Sequence, residues 1–143
     1  MKTVADYLQG KYRLVEIDCE RSVLAAAKKM DAERIGALLV TRGGKVVGIV
    51  TERDMLSKVV AALRDPADTK VATVMSSPVI SVDLATTLDG CGQIMGAEEV
   101  RHLLVRDRER AVAVISARDL LCAQSAVQAE HIEKLEEYLY QYS

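Results

Sequence analysis

Residues 48–54, GIVTERD, end an apolar run with a hydroxyl, a carboxylate, a guanidinium and a second carboxylate in four consecutive positions. The same order of apolar run, hydroxyl, arginine and aspartate returns at residues 113–119, AVISARD, 65 residues on. Sliding the whole chain by 65 residues also pairs Asp18 with Asp83, Met30 with Met95, Ala32 with Ala97 and Glu33 with Glu98. Leu38, Leu39 and Val40 meet Leu103, Leu104 and Val105, and Arg53, Asp54 and Leu56 meet Arg118, Asp119 and Leu121, without a gap. Conservative pairs fall in the same frame, among them Ser22 with Thr87, Ile35 with Val100 and Thr51 with Ser116. An ungapped register with matched apolar positions is the signature of a duplicated unit, and it decides the architecture.

Each copy carries the same order of elements. A short extended segment (15–18; 79–82) precedes a capping residue, Ser22 or Thr87, and a helix rich in alanine and methionine that reaches about Glu33 or Glu98. Two β-rich runs follow, IGALLV and KVVGIV in the first copy, joined by TRGG, whose glycines supply the positive φ that a tight hairpin wants. The second copy has VRHLLV and RAVAVI, joined by RDRE. A closing helix, ERDMLSKVVAALR in the first copy, runs to the Asp65-Pro66 step. Such a unit leaves one apolar sheet face uncovered and cannot bury it alone. The expected fold is therefore α/β (α+β): two tandem β-α-β-β-α repeats packed sheet to sheet about a pseudo-twofold axis. The boundaries are 1–64 for the first repeat, 65–70 (DPADTK) for a linker, 71–124 for the second repeat and 125–143 for a C-terminal helix.

Bulk properties narrow the function. A chain of 143 residues buries roughly 68–70% of its unfolded surface in one compact molecule. Its 19 basic and 21 acidic residues leave a net charge of −2, with no basic tract to recruit nucleic acid or an anionic membrane. Apolar runs are too short for a bilayer and the N-terminus lacks the apolar core of a signal peptide, so a cytoplasmic protein is expected. Three widely spaced cysteines, Cys19, Cys91 and Cys122, suit neither a disulfide framework nor a zinc knuckle and read as buried free thiols. All five tyrosines lie near the ends, at positions 7, 12, 138, 140 and 142, so a planar ligand at the centre would be held between aliphatic side chains. No nucleophile with a base, metal-spaced cluster or Walker-type glycine loop is present, and no enzyme and no metal are expected.

Taken together, the two copies resemble the paired domains first named from cystathionine β-synthase, the CBS domains. The resemblance spans about residues 3–122 and rests on VATVMSSPVISV (71–82), VRHLLV (100–105) and the strand ends GIVTERD and VAVISARD; TVADYL (3–8) looks like a degenerate counterpart of VATVM. It implies a regulatory module without catalysis of its own. Such a module binds adenosine-containing ligands in clefts between the repeats: AMP, ADP or ATP first, with S-adenosylmethionine or NAD as other members of the class. It also implies a homodimer of disc shape and a separate, unknown regulated protein, with no nucleic acid and no membrane among the partners. The family's G-x-x-[ST]-x-x-D pattern, whose hydroxyl and aspartate contact the ligand, falls on Gly48, Thr51 and Asp54, and on Ser116 and Asp119 in the second copy, where Ala113 replaces the glycine and is expected to crowd the backbone approach on that side.

These residue types suit the task. An aspartate on a first helical turn can accept charge-assisted bonds from both hydroxyls of a ribose, and the hydroxyl three residues earlier lies near helix-start N–H groups that favour an anion. Met75, Val79 and Ile80 are the candidates for one adenine wall, and Val15 and Ile17 for the other. By the resemblance, Arg101 and His102, which replace Gly36 and Ala37 of the first copy, reach a phosphate held by the other repeat's aspartate; the Asp54 cleft is then the one that favours a phosphorylated ligand. Glu52, with Ala117 at the matching position, runs against that expectation. Arg53 and Arg118 are phosphate contacts, solvated helix residues or partners of nearby acids, and Thr51 and Ser116 are plain caps on the competing reading, a structural or interaction module with unused clefts. The tail spaces Ile132, Leu135, Leu139 and Tyr142 as an amphipathic helix that docks on its own module or clasps a second subunit.

Overall fold

The computed structural model describes residues 1–124 and 133–137. Two compact units emerge: one of Leu14–Ile80, and one of Met1–Arg13 together with the described residues from Ser81 onward. They are called here the Asp54 unit and the Asp119 unit.

In the Asp54 unit, β1 (Glu16–Asp18) pairs in parallel with β2 (Ala37–Arg42), which pairs antiparallel with β3 (Lys45–Thr51). Helix α2 (Val23–Glu33) fills the crossover between the parallel strands. Ser22 caps α2, its hydroxyl accepting from the N–H of Ala25, and Arg34 stops it in the left-handed conformation. The hairpin turns on Gly43 and Gly44, at φ +58° and +81°, in the region where glycine has no steric penalty. Val23, Ala26 and Met30 from one face of α2 pack with Leu38, Val40 and Val50 of the sheet to form the core. The closing helix is interrupted. After one α-turn, α3 (Glu52–Met55), the backbone widens into a π-helical stretch, Leu56–Val60, where Ala61 N–H donates to Leu56 O.

The segment read as a linker belongs to this unit: Val23 N–H donates to Thr69 O and Leu24 N–H to Pro66 O. Helix α4 (Val71–Val74), at the head of the second repeat, also lies here. Its Val71 and Ala72 N–H groups donate to Arg21 O at 2.8 Å and Cys19 O at 3.0 Å.

The Asp119 unit repeats this plan. Strands β4 (Ser81–Asp83), β5 (His102–Asp107) and β6 (Arg110–Ser116) run in the same order and senses, with α5 (Leu88–Glu98) between β4 and β5 and α6 (Ala117–Gln124) after β6. Here Arg108 takes a positive φ in place of a turn glycine. The docking helix comes from the N-terminus: α1 (Val4–Leu8) donates Val4 N–H to Thr86 O at 2.9 Å and Ala5 N–H to Leu84 O at 3.0 Å. Those acceptors lie 65 residues beyond Arg21 and Cys19, and Val4 and Ala5 match Val71 and Ala72, so TVADYL is the structural counterpart of VATVM. Val4 and Val71 are both fully buried, which anchors each short helix by one aliphatic side chain.

Of the tail, residues 133–137 are helical and include the half-exposed Leu135; Ile132, Leu139 and Tyr142 lie outside the described residues. The three cysteines are free, with Cys19 and Cys91 buried and Cys122 half-buried. Burial pushes the Cys91 thiol pKa up, as expected of a thiol among apolar neighbours.

Candidate functional site

The end of β3 and the start of α3 bring Thr51 and Asp54 together in a reciprocal cap. The Thr51 hydroxyl accepts from Asp54 N–H at 3.2 Å, while Asp54 Oδ2 accepts from Thr51 N–H at 2.9 Å and from the Thr51 hydroxyl at 3.1 Å. Asp54 is only 7% exposed, unusual for a carboxylate. Its other oxygen, Oδ1, faces Lys58 Nζ at 3.0 Å, and the same ammonium donates to Val74 O at 3.0 Å. Lys58, one helical turn on from Asp54, thus ties α4 to the aspartate.

In the Asp119 unit the cap recurs with different company. Asp119 Oδ2 accepts from Ser116 N–H at 2.7 Å, and the Ser116 hydroxyl accepts from Asp119 N–H at 3.1 Å. Oδ1 accepts from the Tyr7 hydroxyl of α1 at 3.0 Å. Burial, reinforced by the Asp119 charge and hydrogen bond, pushes the Tyr7 phenol up to about 12. In the register that aligns α1 with α4, Tyr7 answers Val74, and the counterpart of Lys58 is Ala123. Each unit therefore supplies one polar donor to Oδ1, but from a different element.

Gly48 explains part of the conserved-looking spacing by sterics. A Cβ there would lie 2.6 Å from Met75 Sδ and 2.9 Å from Ser76 O, because Ile49 and Ser76 exchange backbone hydrogen bonds. Ala113 was expected to crowd the equivalent approach. Instead it is buried, and no isolated bridge to β6 occurs among the described residues. After α1 the backbone takes positive φ at Gln9 and Gly10, whereas α4 ends on an extended Met75 that leads into the Ile49–Ser76 bridge.

Glu52 follows the same logic. Its side chain lies across Gly36, where a Cβ would come within 2.6 Å of Oε1, and its N–H donates to Gly36 O. In the other unit Ala117 N–H donates to Arg101 O, so the large residue and the small one have changed places.

Among the other candidates, Met75, Val79 and Ile80 are half-buried and belong to the unit that holds Thr51 and Asp54. Arg53 is exposed on α3. Arg101, His102, Ser116, Arg118 and Asp119 gather in the other unit, with His102 opposite Ser116 on paired strands. Arg118, on exposed α6 surface, pairs with Glu136 of the tail at 2.9 Å. Lys58 and Tyr7 are missing from the set drawn from sequence. The first was detectable as an i, i+4 acid–base pair on the closing helix, the second as the polar residue of TVADYL at the place of Val74. No group of three or more metal-ligating side chains occurs among the described residues.

The duplicated cap of hydroxyl and aspartate lies within the matches of a family model for the CBS domain, at residues 6–61 and 71–126. The chain belongs to the CBS-domain family. It is 26% identical to the CBS domain-containing protein CBSX3, mitochondrial, of Arabidopsis thaliana, over 96% of this chain and 71% of that one. A crystal structure of a CBS-domain protein from Burkholderia ambifaria matches at 35% identity and TM-score 0.84, over 87% of this chain and 95% of that one. The CBS domain protein PAE2072 from Pyrobaculum aerophilum, complexed with AMP, matches at 25% identity and TM-score 0.74, over 90% and 96%. Chains made of CBS domains in tandem are regulatory modules rather than enzymes, and the two three-stranded sheets with their helices are the two CBS repeats. No helix among the described residues is long and apolar enough to cross a membrane.

Proposed function

We propose that this CBS pair senses an adenine nucleotide of the AMP, ADP or ATP class at Asp54 and signals its presence to a separate partner protein. The observation that carries the reading is the burial of the Asp54 carboxylate beside Thr51. A cap needs only the hydroxyl and an exposed acid; a carboxylate withdrawn from water and fixed at Oδ2 has been oriented, and its Oδ1 side is where ribose hydroxyls can donate. Lys58 offsets the negative charge that would oppose a phosphate. AMP is the ligand bound by the Pyrobaculum protein, which supports the choice of class.

Met75, Val79 and Ile80, of the same unit as Asp54, then form the apolar wall for adenine, with Arg53 as the group that meets phosphate. A cytoplasmic homodimer is the form in which we place the module. Leu56 and Val60 on the π-helical stretch and Leu63 in the turn beyond it, 59%, 65% and 93% exposed, supply apolar surface for the second copy.

Thermal unfolding against AMP, ADP, ATP, S-adenosylmethionine, NAD and adenosine tests this. A ligand at 100 times its Kd stabilises the native state by about 2.7 kcal/mol, which is several degrees for a chain of this length. A shift with AMP or ATP that Arg53→Ala reduces more than the adenosine shift supports both ligand class and phosphate contact. Equal loss for AMP and adenosine removes Arg53 from the phosphate, and no shift with any compound leaves an interaction module with unused clefts.

A further inference from the structure

We propose that Tyr7 occupies the Asp119 position in place of a ribose, so that the module takes nucleotide at Asp54 and not at Asp119. The inference rests on the nucleotide reading above and adds to it which aspartate is available and why.

The two carboxylates are alike on one side and different on the other. In both, Oδ2 is consumed by the N–H of the capping residue, at 2.9 Å from Thr51 and 2.7 Å from Ser116. They differ in burial, Asp54 being buried and Asp119 half-buried, and in the donor on Oδ1. At Asp54 it is an ammonium on a flexible four-carbon stem, 45% exposed. The ammonium end is the exposed side of the pair, 45% against 9% for the carboxylate, and its flexible stem lets it share the oxygen with an incoming hydroxyl while keeping its bond to Val74 O. At Asp119 it is a neutral O–H on a rigid ring, the same kind of donor that a ribose presents, at 3.0 Å.

The ring cannot leave as easily. Tyr7 is the fourth of the five residues of α1, which is fixed by the buried Val4, by backbone bonds to Thr86 and Leu84, and by a reciprocal cap between Thr3 and Asp6. Moving the phenol means turning a half-buried ring about χ1 on a docked helix. A second contact acts in the same sense. Arg118, the candidate phosphate group of this unit, is paired with Glu136, whereas the Asp54 unit has only solvent-exposed Arg53 at that place. Both ligand-type groups of the Asp119 unit are thus engaged by segments near the ends of the chain.

Isothermal titration with AMP on the full chain tests this, with Tyr7→Phe removing the hydroxyl alone and Tyr7→Ala removing the ring. The wild type is expected to bind one AMP per chain, lost in Asp54→Ala; Tyr7→Ala should bind two, the second lost on adding Asp119→Ala. Tyr7→Phe, which keeps the packing, should show the second site at lower affinity. One AMP per chain in the wild type and in both Tyr7 variants overturns the self-occupation and leaves the Asp54 reading standing. Two per chain in the wild type also overturns it. A site that appears only in the Tyr7 variants upholds it while removing Asp54 as a nucleotide position, and no binding by any variant overturns both.

Discussion

At the scale of the residue, matched positions do different work because their neighbours differ. Gly48 and Ala113 occupy the same place in the repeat, yet only Gly48 has Met75 and Ser76 against it. Gly48→Ala should cost about 1–3 kcal/mol, as an extra methyl in a packed site does. The sulfur can move, but Ser76 O is backbone held by its bond from Ile49 N–H. Urea denaturation checks this, with Ala113→Gly as the control, expected to lose no more than about 1 kcal/mol. If Gly48→Ala is the milder of the two, the steric account of the motif glycine is wrong. The hydroxyls and aspartates were legible from the sequence because their chemistry recurs in register. Glu52 was not: it resisted interpretation until Gly36 appeared beneath it, and residues far apart in sequence do not reveal that they share a space. Lys58 and Tyr7 escaped for a related reason, since each lacks a counterpart of its own type in the other copy.

At the scale of the element, hydrophobic alternation and capping chemistry placed the helices and hairpins well. Ser22 and Thr87 cap α2 and α5, whose ends at Glu33 and Glu98 match the expected stops, and the paired glycines make the hairpin turn. The closing helix was read as continuous, and its π-helical stretch has no sequence signal because the i+5 pattern depends on packing. Helix α1 carries a prediction of its own. The Tyr7 phenol has its pKa raised from 10.0 to about 12, so between these values the folded chain keeps a proton that the unfolded chain has released. Bound protons in excess in the native state mean that stability falls as pH rises through this window and is fully present below pH 10. The stability advantage of the wild type over Tyr7→Phe should therefore be constant up to about pH 10 and shrink toward pH 12. Denaturation at matched pH values measures it. A difference unchanged across that range would place the phenol in water and away from Asp119.

At the scale of the molecule, the duplication was legible and its assembly was not. An ungapped offset of 65 residues reveals two copies, but the helix that heads each copy docks on the body of the other, giving units of 14–80 and of 1–13 with the described residues from 81 onward. The matched pairs Val4 with Thr86 and Val71 with Arg21 show the exchange in hydrogen bonds. Sequence register alone does not reveal it, because a helix four or five residues long carries too little pattern to announce its docking partner. The consequence for function is that each aspartate meets a helix from the opposite repeat, with Val74 O anchoring Lys58 in one unit and the Tyr7 hydroxyl in the other. The central claim is that the buried Asp54 carboxylate is built to hold a nucleotide. Calorimetric titration of AMP into the wild type and into Asp54→Ala tests it most directly. Saturable binding that Asp54→Ala weakens by at least 100-fold, about 2.7 kcal/mol, is the predicted result. AMP binding of equal affinity in both proteins would contradict it.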